Sequence, residues 1–140
     1  MVEFLLLNKF RLLLLFLIWL PTLGACTESF PLEVLPTSFE CLSYSKGFNT
    51  GRVTVVTGDP VYDALRSFLE ANRTGWSGDL RTYAPSIYFK SESVTVNCGE
   101  DTVVVNYRGD MGSTRWIQIS NPVKGCRAAV VEALLKLKRP

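Results

Sequence analysis

The stretch SVTVNCGEDTVVVNY, residues 93–107, decides the fold class. Val94, Val96 and Cys98 alternate with Thr95 and Asn97, the period of a strand with one face toward a core. Gly99, Glu100 and Asp101 form a tight turn, and residues 102–107 run back as a second β-rich arm. The two arms are an antiparallel hairpin. Downstream, residues 108–113 read as another turn and residues 114–120 as a further strand, with Trp116 on the opposite side from Ile117 and Ile119. Upstream, residues 80–90 form one extended stretch, interrupted or edged at Pro85. Residues 52–57, RVTVVT between Gly51 and Gly58, form an earlier strand.

Two helices complete the pattern. Asp59 and Pro60 announce the first as N-cap and first helical position. Val61, Ala64, Leu65, Phe68 and Leu69 recur at helical spacing, and Gly75 is placed to end it. Asn121 and Pro122 are expected to open the second, whose apolar stripe is Cys126, Ala129, Val130, Ala133, Leu134 and Leu137. Lys136, Lys138 and Arg139 crowd its end, where cations meet the negative helix pole. The expected order is β-α-β-β-β-β-α. This is an α+β domain with an antiparallel sheet of about four to five strands and two segregated helices.

The first 25 residues differ from the rest. Lys9 and Arg11 precede an unbroken apolar run, residues 12–20; Pro21 breaks it, and Leu23, Gly24 and Ala25 follow. A basic start, a short apolar centre and a small-residue end are the parts of an export signal. A membrane span needs about 18 or more apolar residues, and this run is too short. The organisation read from the sequence is residues 1–25 as signal peptide, 26–50 as linker and 51–140 as a single domain. Pro31, Pro36, Gly47 and several Ser and Thr give the linker its character, with a short element around Phe39 to Tyr44. A flexible tether of about 10 to 20 residues would hold the domain clear of a bilayer.

The leader holds Lys9, Arg11 and Glu3, so the remaining 115 residues carry 13 basic and 12 acidic side chains, net +1. Nucleic acid is excluded as the expected partner, because phosphate binding needs a clustered cationic excess.

Leu23-Gly24-Ala25-Cys26 resembles a bacterial lipobox, the Leu-small-small-Cys ending of a lipoprotein signal. The resemblance covers the signal and Cys26 only. It implies that Cys26 becomes the first mature residue and carries a diacylglycerol on its sulfur. Stable anchoring needs more than one acyl chain. Thr27, rather than Asp, follows the cysteine; by the same resemblance this favours the outer membrane, facing the periplasm. The alternative is that Cys26 is the first cysteine of a secreted or periplasmic soluble domain without lipid.

Four cysteines are present and no histidine. Cys98 shares a face with Val94 and Val96, and Cys126 begins the stripe of the last helix, so both point at the core. A Cys98–Cys126 bridge would staple helix to sheet; Cys41 with either partner stays open. With no histidine and no CxxC, no metal site is expected. No cofactor is expected either, because no glycine-rich phosphate loop is present.

The absent histidine removes the commonest general base. Cys41 has no evident neighbour to lower its pKa. Glu100 and Asp101 sit in a turn, where acidic residues are ordinary. The reading is therefore a non-catalytic binding module, with a cysteine- or carboxylate-based enzyme as the lesser alternative. The stretch NRTGWSGDLRTYAP, residues 72–85, carries the suggestion of binding. Trp76, Arg81 and Tyr83 have the composition of an interface hot spot, and Trp116 is a second candidate on the less covered side of the sheet. Large aromatics are usually at least partly buried, so Trp76 covering an open edge of the core is the competing reading. The expected partners are the membrane, through lipid on Cys26, and an unidentified protein or other component of the bacterial cell envelope. An accessory subunit of an envelope assembly and a toxin-neutralising protein both fit.

Overall fold

The computed structural model describes residues 29–109 and 114–137. They form an α+β domain: β1 (Ser38–Ser45), β2 (Phe48–Val56), α1 (Pro60–Ala71), β3 (Ser77–Gly78), β4 (Ile87–Lys90), β5 (Val94–Cys98), β6 (Val103–Arg108), β7 (Trp116–Asn121) and α2 (Cys126–Leu137). The strands make one antiparallel sheet in the order β2-β1-β4-β5-β6-β7-β3. The hairpin read from the sequence is β5–β6, with Val94 opposite Tyr107 and Cys98 opposite Val103. The sheet has seven strands rather than four or five. The additions are the β1 strand and the two-residue β3.

One face of the sheet carries the core. Cys41, Phe89, Val96, Val105 and Ile119 stand in a single cross-strand row, and all are buried. Against them pack Val61, Tyr62, Leu65 and Leu69 of α1 and Cys126, Val130 and Ala133 of α2. The two helices also pack on each other. Cys98 and Cys126 are joined by a disulfide that ties β5 to the start of α2.

The linker is part of the fold. Phe30 is fully buried, and its N–H donates to the Arg73 carbonyl at 2.7 Å. A 3-10 turn over Leu32–Val34 follows, and the Tyr62 hydroxyl donates to the Pro36 carbonyl at 2.6 Å. Residues 38–45 are then a strand inside the sheet, between β2 and β4. The prolines that resembled a tether instead shape a segment laid along α1. Its apolar anchors, Phe30, Leu32 and Phe39, are the buried ones.

The helix ends also differ from expectation. Asn121 is the last residue of β7, and α2 starts at Cys126, after Gly125 turns the chain at φ +101°. Asp59 precedes Pro60 as expected, but its carboxylate accepts from the Val56 N–H at 2.8 Å, closing the β2–α1 turn instead of capping the helix. α1 ends at Ala71, ahead of Gly75.

The connection from β3 to β4 fixes the other face. β3 lies outside β7, whereas β4 lies between β1 and β5. Residues 79–86 must therefore cross β7, β6 and β5. Four strand spacings of about 4.8 Å make roughly 19 Å. Eight residues reach at most about 28 Å, so the crossing runs extended, as Pro85 favours. It lies on the face away from the helices, because the side chains that hold it are Gln118, Ser120 and Asn97. The Gln118 amide donates to the Arg81 carbonyl at 2.8 Å, and the Asn97 amide donates to the Ala84 carbonyl at 3.2 Å. The Ser86 N–H in turn donates to the Asn97 side-chain oxygen at 3.2 Å.

Candidate interaction surface

The crossing strap is anchored by Asp79. Its N–H donates to the Gln118 carbonyl, and its carboxylate is almost wholly buried. Arg81 grips that carboxylate with Nε and Nη2 at 2.9–3.2 Å and adds its own backbone N–H at 2.9 Å. Ser120 donates at 2.8 Å, and the Tyr83 hydroxyl donates to the same oxygen as Ser120. The Arg81 hydrogen bonds, then that of Tyr83, hold the Asp79 carboxyl well below the usual carboxylate range. The bond to Asp79 raises the Tyr83 hydroxyl above its ordinary value and the Arg81 guanidinium likewise. Asp79 is thus ionised at neutral pH, with both carboxylate oxygens accepting hydrogen bonds.

Asp79, Arg81 and Tyr83 stand two residues apart. On extended chain such residues share a side, which is how all three reach one point. That spacing is legible in the sequence, and it is the signal that residue-by-residue reading passed over.

Of the four proposed contact residues, Trp76 does not belong to a surface. It is fully buried, its ring lies 5.3 Å from that of Phe30, and its indole N–H donates to the Asn72 carbonyl at 2.7 Å. Flanking glycines suggested an exposed loop; instead Gly75, at φ +87°, turns the indole into the core beside the N-terminal segment. The other three lie on the strap and the sheet face that it crosses. The Arg81 guanidinium is exposed and lies 5.5 Å from the Tyr83 ring centroid. Trp116 is 43% exposed, on the same face of β7 as Gln118, which holds Arg81.

Two further residues complete the patch. Arg108, directly opposite Trp116 in the register, places its guanidinium 5.5 Å from the Trp116 ring centroid. Leu80, between Asp79 and Arg81, is 99% exposed. A leucine held bare on an anchored strap next to Arg81, with a half-exposed tryptophan and Arg108 on the sheet face that the strap crosses, matches the makeup of protein contact surfaces.

The remaining candidates are committed elsewhere. Cys41 is free but buried, and burial pushes its thiol up to about 11, away from nucleophilic reactivity. Glu100 bonds Arg127 at 2.8 Å and Asp101 lies 3.3 Å from Lys124, both across to the approach and first turn of α2. Among the described residues no group of three or more Cys, Asp or Glu could hold a metal ion. A groove of about 350 Å³ between α1 and α2 is lined by small residues and by the Glu132–Lys136 pair, which is closed on itself at 2.8 Å. Cys26 lies outside the described residues.

No protein-family model matches the chain, and neither does any curated protein or solved structure.

Proposed function

We propose that this chain is a lipid-anchored protein of the bacterial envelope that works by binding. Its contact surface would be the outer-face patch of Leu80, Arg81, Tyr83, Arg108 and Trp116. The observation that carries the anchoring is the disposition of the four cysteines. Cys98 and Cys126 are joined to each other, and Cys41 is a free thiol sealed in the core. Cys26 is left without an accessible partner in its own chain, at the end of a lipobox-like leader. A disulfide also suits an oxidising compartment, which an exported domain enters.

On this reading the tether is short. Only residues 27–29 separate Cys26 from Phe30, which is pinned to Arg73. Four residue steps span at most about 14 Å. The end of the domain where α1 gives way to β3 would therefore rest close to the headgroups, and Thr27 points to the outer membrane.

Arg81 is paired with Asp79, so Arg108 gives the patch a net positive charge of one beside its aromatic rings, which suits a protein partner with an acidic side chain next to an apolar socket. Cross-linking in whole envelopes, followed by capture, tests it. Leu80→Ser with Trp116→Ala should lose the partner that wild type recovers, with the circular dichroism spectrum unchanged. Equal recovery would discard the patch. Radiolabelled palmitate should enter wild type and not Cys26→Ser; absence from both would favour a secreted, disulfide-linked domain without lipid.

A further inference from the structure

We propose that β2 is a dimerisation edge, along which two copies of this chain pair antiparallel about a two-fold axis at Val53. The two ends of the sheet are unlike. One closes on β3, only two residues long; the other is β2, nine residues long, with no strand beyond it among the described residues. A long bare edge is a template for another strand. Of the seven exposed large apolar side chains among the described residues, Phe48, Val53 and Val56 lie on this strand.

The register follows from the backbone. Thr57 N–H donates to the Thr37 carbonyl at 2.9 Å, so beyond the bulge the odd-numbered residues of β2 face β1. Arg52 and Thr54 consequently turn their N–H and C=O groups outward. Val56 also faces out, but both its groups are taken by Asp59, through the carboxylate at 2.8 Å and the backbone N–H at 2.9 Å. Outward groups must meet outward groups, so the axis can fall at residue 52, 53 or 54. An axis at 52 sets Arg52 against its own copy, like charge on like charge. An axis at 54 sets Arg52 against Val56, whose groups are spent. At 53, Arg52 meets Thr54 of the second copy twice over, which makes four backbone hydrogen bonds, and Val53 packs on Val53.

Charge agrees with that choice. Within one chain Arg52 lies 3.0 Å from Glu40, and Glu40 stands opposite Thr54 on β1. With the axis at 53, Arg52 of the second copy stands opposite Thr54 and so lies two strand spacings, about 10 Å, from Glu40 on the same face, with a charge opposite to it. No other partner is needed to satisfy the edge.

Sedimentation velocity of the mature chain carrying Cys26→Ser, so that acylation plays no part, reads the outcome across a concentration series. Wild-type sequence should pass from monomer to dimer as concentration rises. Val53→Lys places two ammonium groups together at the axis, and Thr54→Pro removes an outward N–H that the single chain does not use. Each should sediment as monomer throughout while keeping the Cys98–Cys126 bridge and the wild-type dichroism. If Thr54→Pro misfolds, Val53→Lys decides. A wild-type chain that stays monomeric at its highest soluble concentration overturns the proposal, and so does a dimer that survives Val53→Lys.

Discussion

Replacing Phe30 by alanine tests whether the segment before β1 belongs to the core. Phe30 is fully buried, with its ring 5.3 Å from that of Trp76 and its N–H on the Arg73 carbonyl. Burying roughly 150 Å² of ring at about 25 cal/mol per Å² contributes about 4 kcal/mol. Alanine keeps part of that, and the unfilled space adds a penalty, so Phe30→Ala should cost about 3–5 kcal/mol. In a domain of this size each kcal/mol lowers the midpoint by about 4 °C, so the fall should be about 12–20 °C. Urea unfolding followed by far-ultraviolet dichroism measures the loss directly. A double-mutant cycle with Trp76→Ala should return a coupling of about 0.5–1.5 kcal/mol for the ring pair. If residue 30 were solvated tether, the change would stay within about 0.5 kcal/mol. That result, with no coupling to Trp76, would refute the assignment of the N-terminal segment to the core.

Reducing the Cys98–Cys126 bridge, which spans 28 residues, should cost about 3.5 kcal/mol by the loop-entropy argument, seen as a lower urea midpoint; an unchanged midpoint would contradict it. Asp79 is depressed in the folded state, so its stabilising contribution is present above the unfolded value near 3.9 and is lost as pH falls below it. Asp79→Asn should therefore be less stable than wild type at neutral pH, with the gap narrowing between about pH 5 and 2; a gap that does not change with pH would show that the carboxylate charge is not what holds the strap. Cys41, with its thiol pushed up to about 11, should resist iodoacetamide at pH 8 in the native protein and react once unfolded; rapid native labelling would place it outside the core.

The parts of the fold that could be read from the sequence were those with a period. The β5–β6 hairpin alternates cleanly because one face meets the helices, and α1 shows its stripe because Val61, Leu65 and Leu69 all face the sheet. The Cys98–Cys126 bridge followed from the β5 alternation and from the apolar stripe that Cys126 begins on α2. The N-terminal segment has no period. Phe30, Leu32 and Phe39 are buried one at a time along a winding path, and prolines there resemble linker composition. β1 is buried more continuously than an alternating pattern implies, with Cys41 and Leu42 adjacent and both covered, so its alternation was obscured. The strap could not be anticipated, because its course depends on strand order, which local patterns do not encode. Its three side chains were half-legible: Arg81 and Tyr83 stood out by type, but the buried acid that draws them together did not. Trp76 was left with two readings, contact residue or cover for the core, because flanking glycines describe a turn and not which way its indole points; the structure has the second.

The anchoring at Cys26 is the claim on which cellular location depends, and the intact mass of the mature chain extracted from envelope membranes tests it most directly. The account predicts a first residue of Cys26 with a mass excess equal to a diacylglycerol, with or without a further amide-linked acyl chain. A chain that retains Met1, or that starts after Cys26 and carries no lipid, would contradict it.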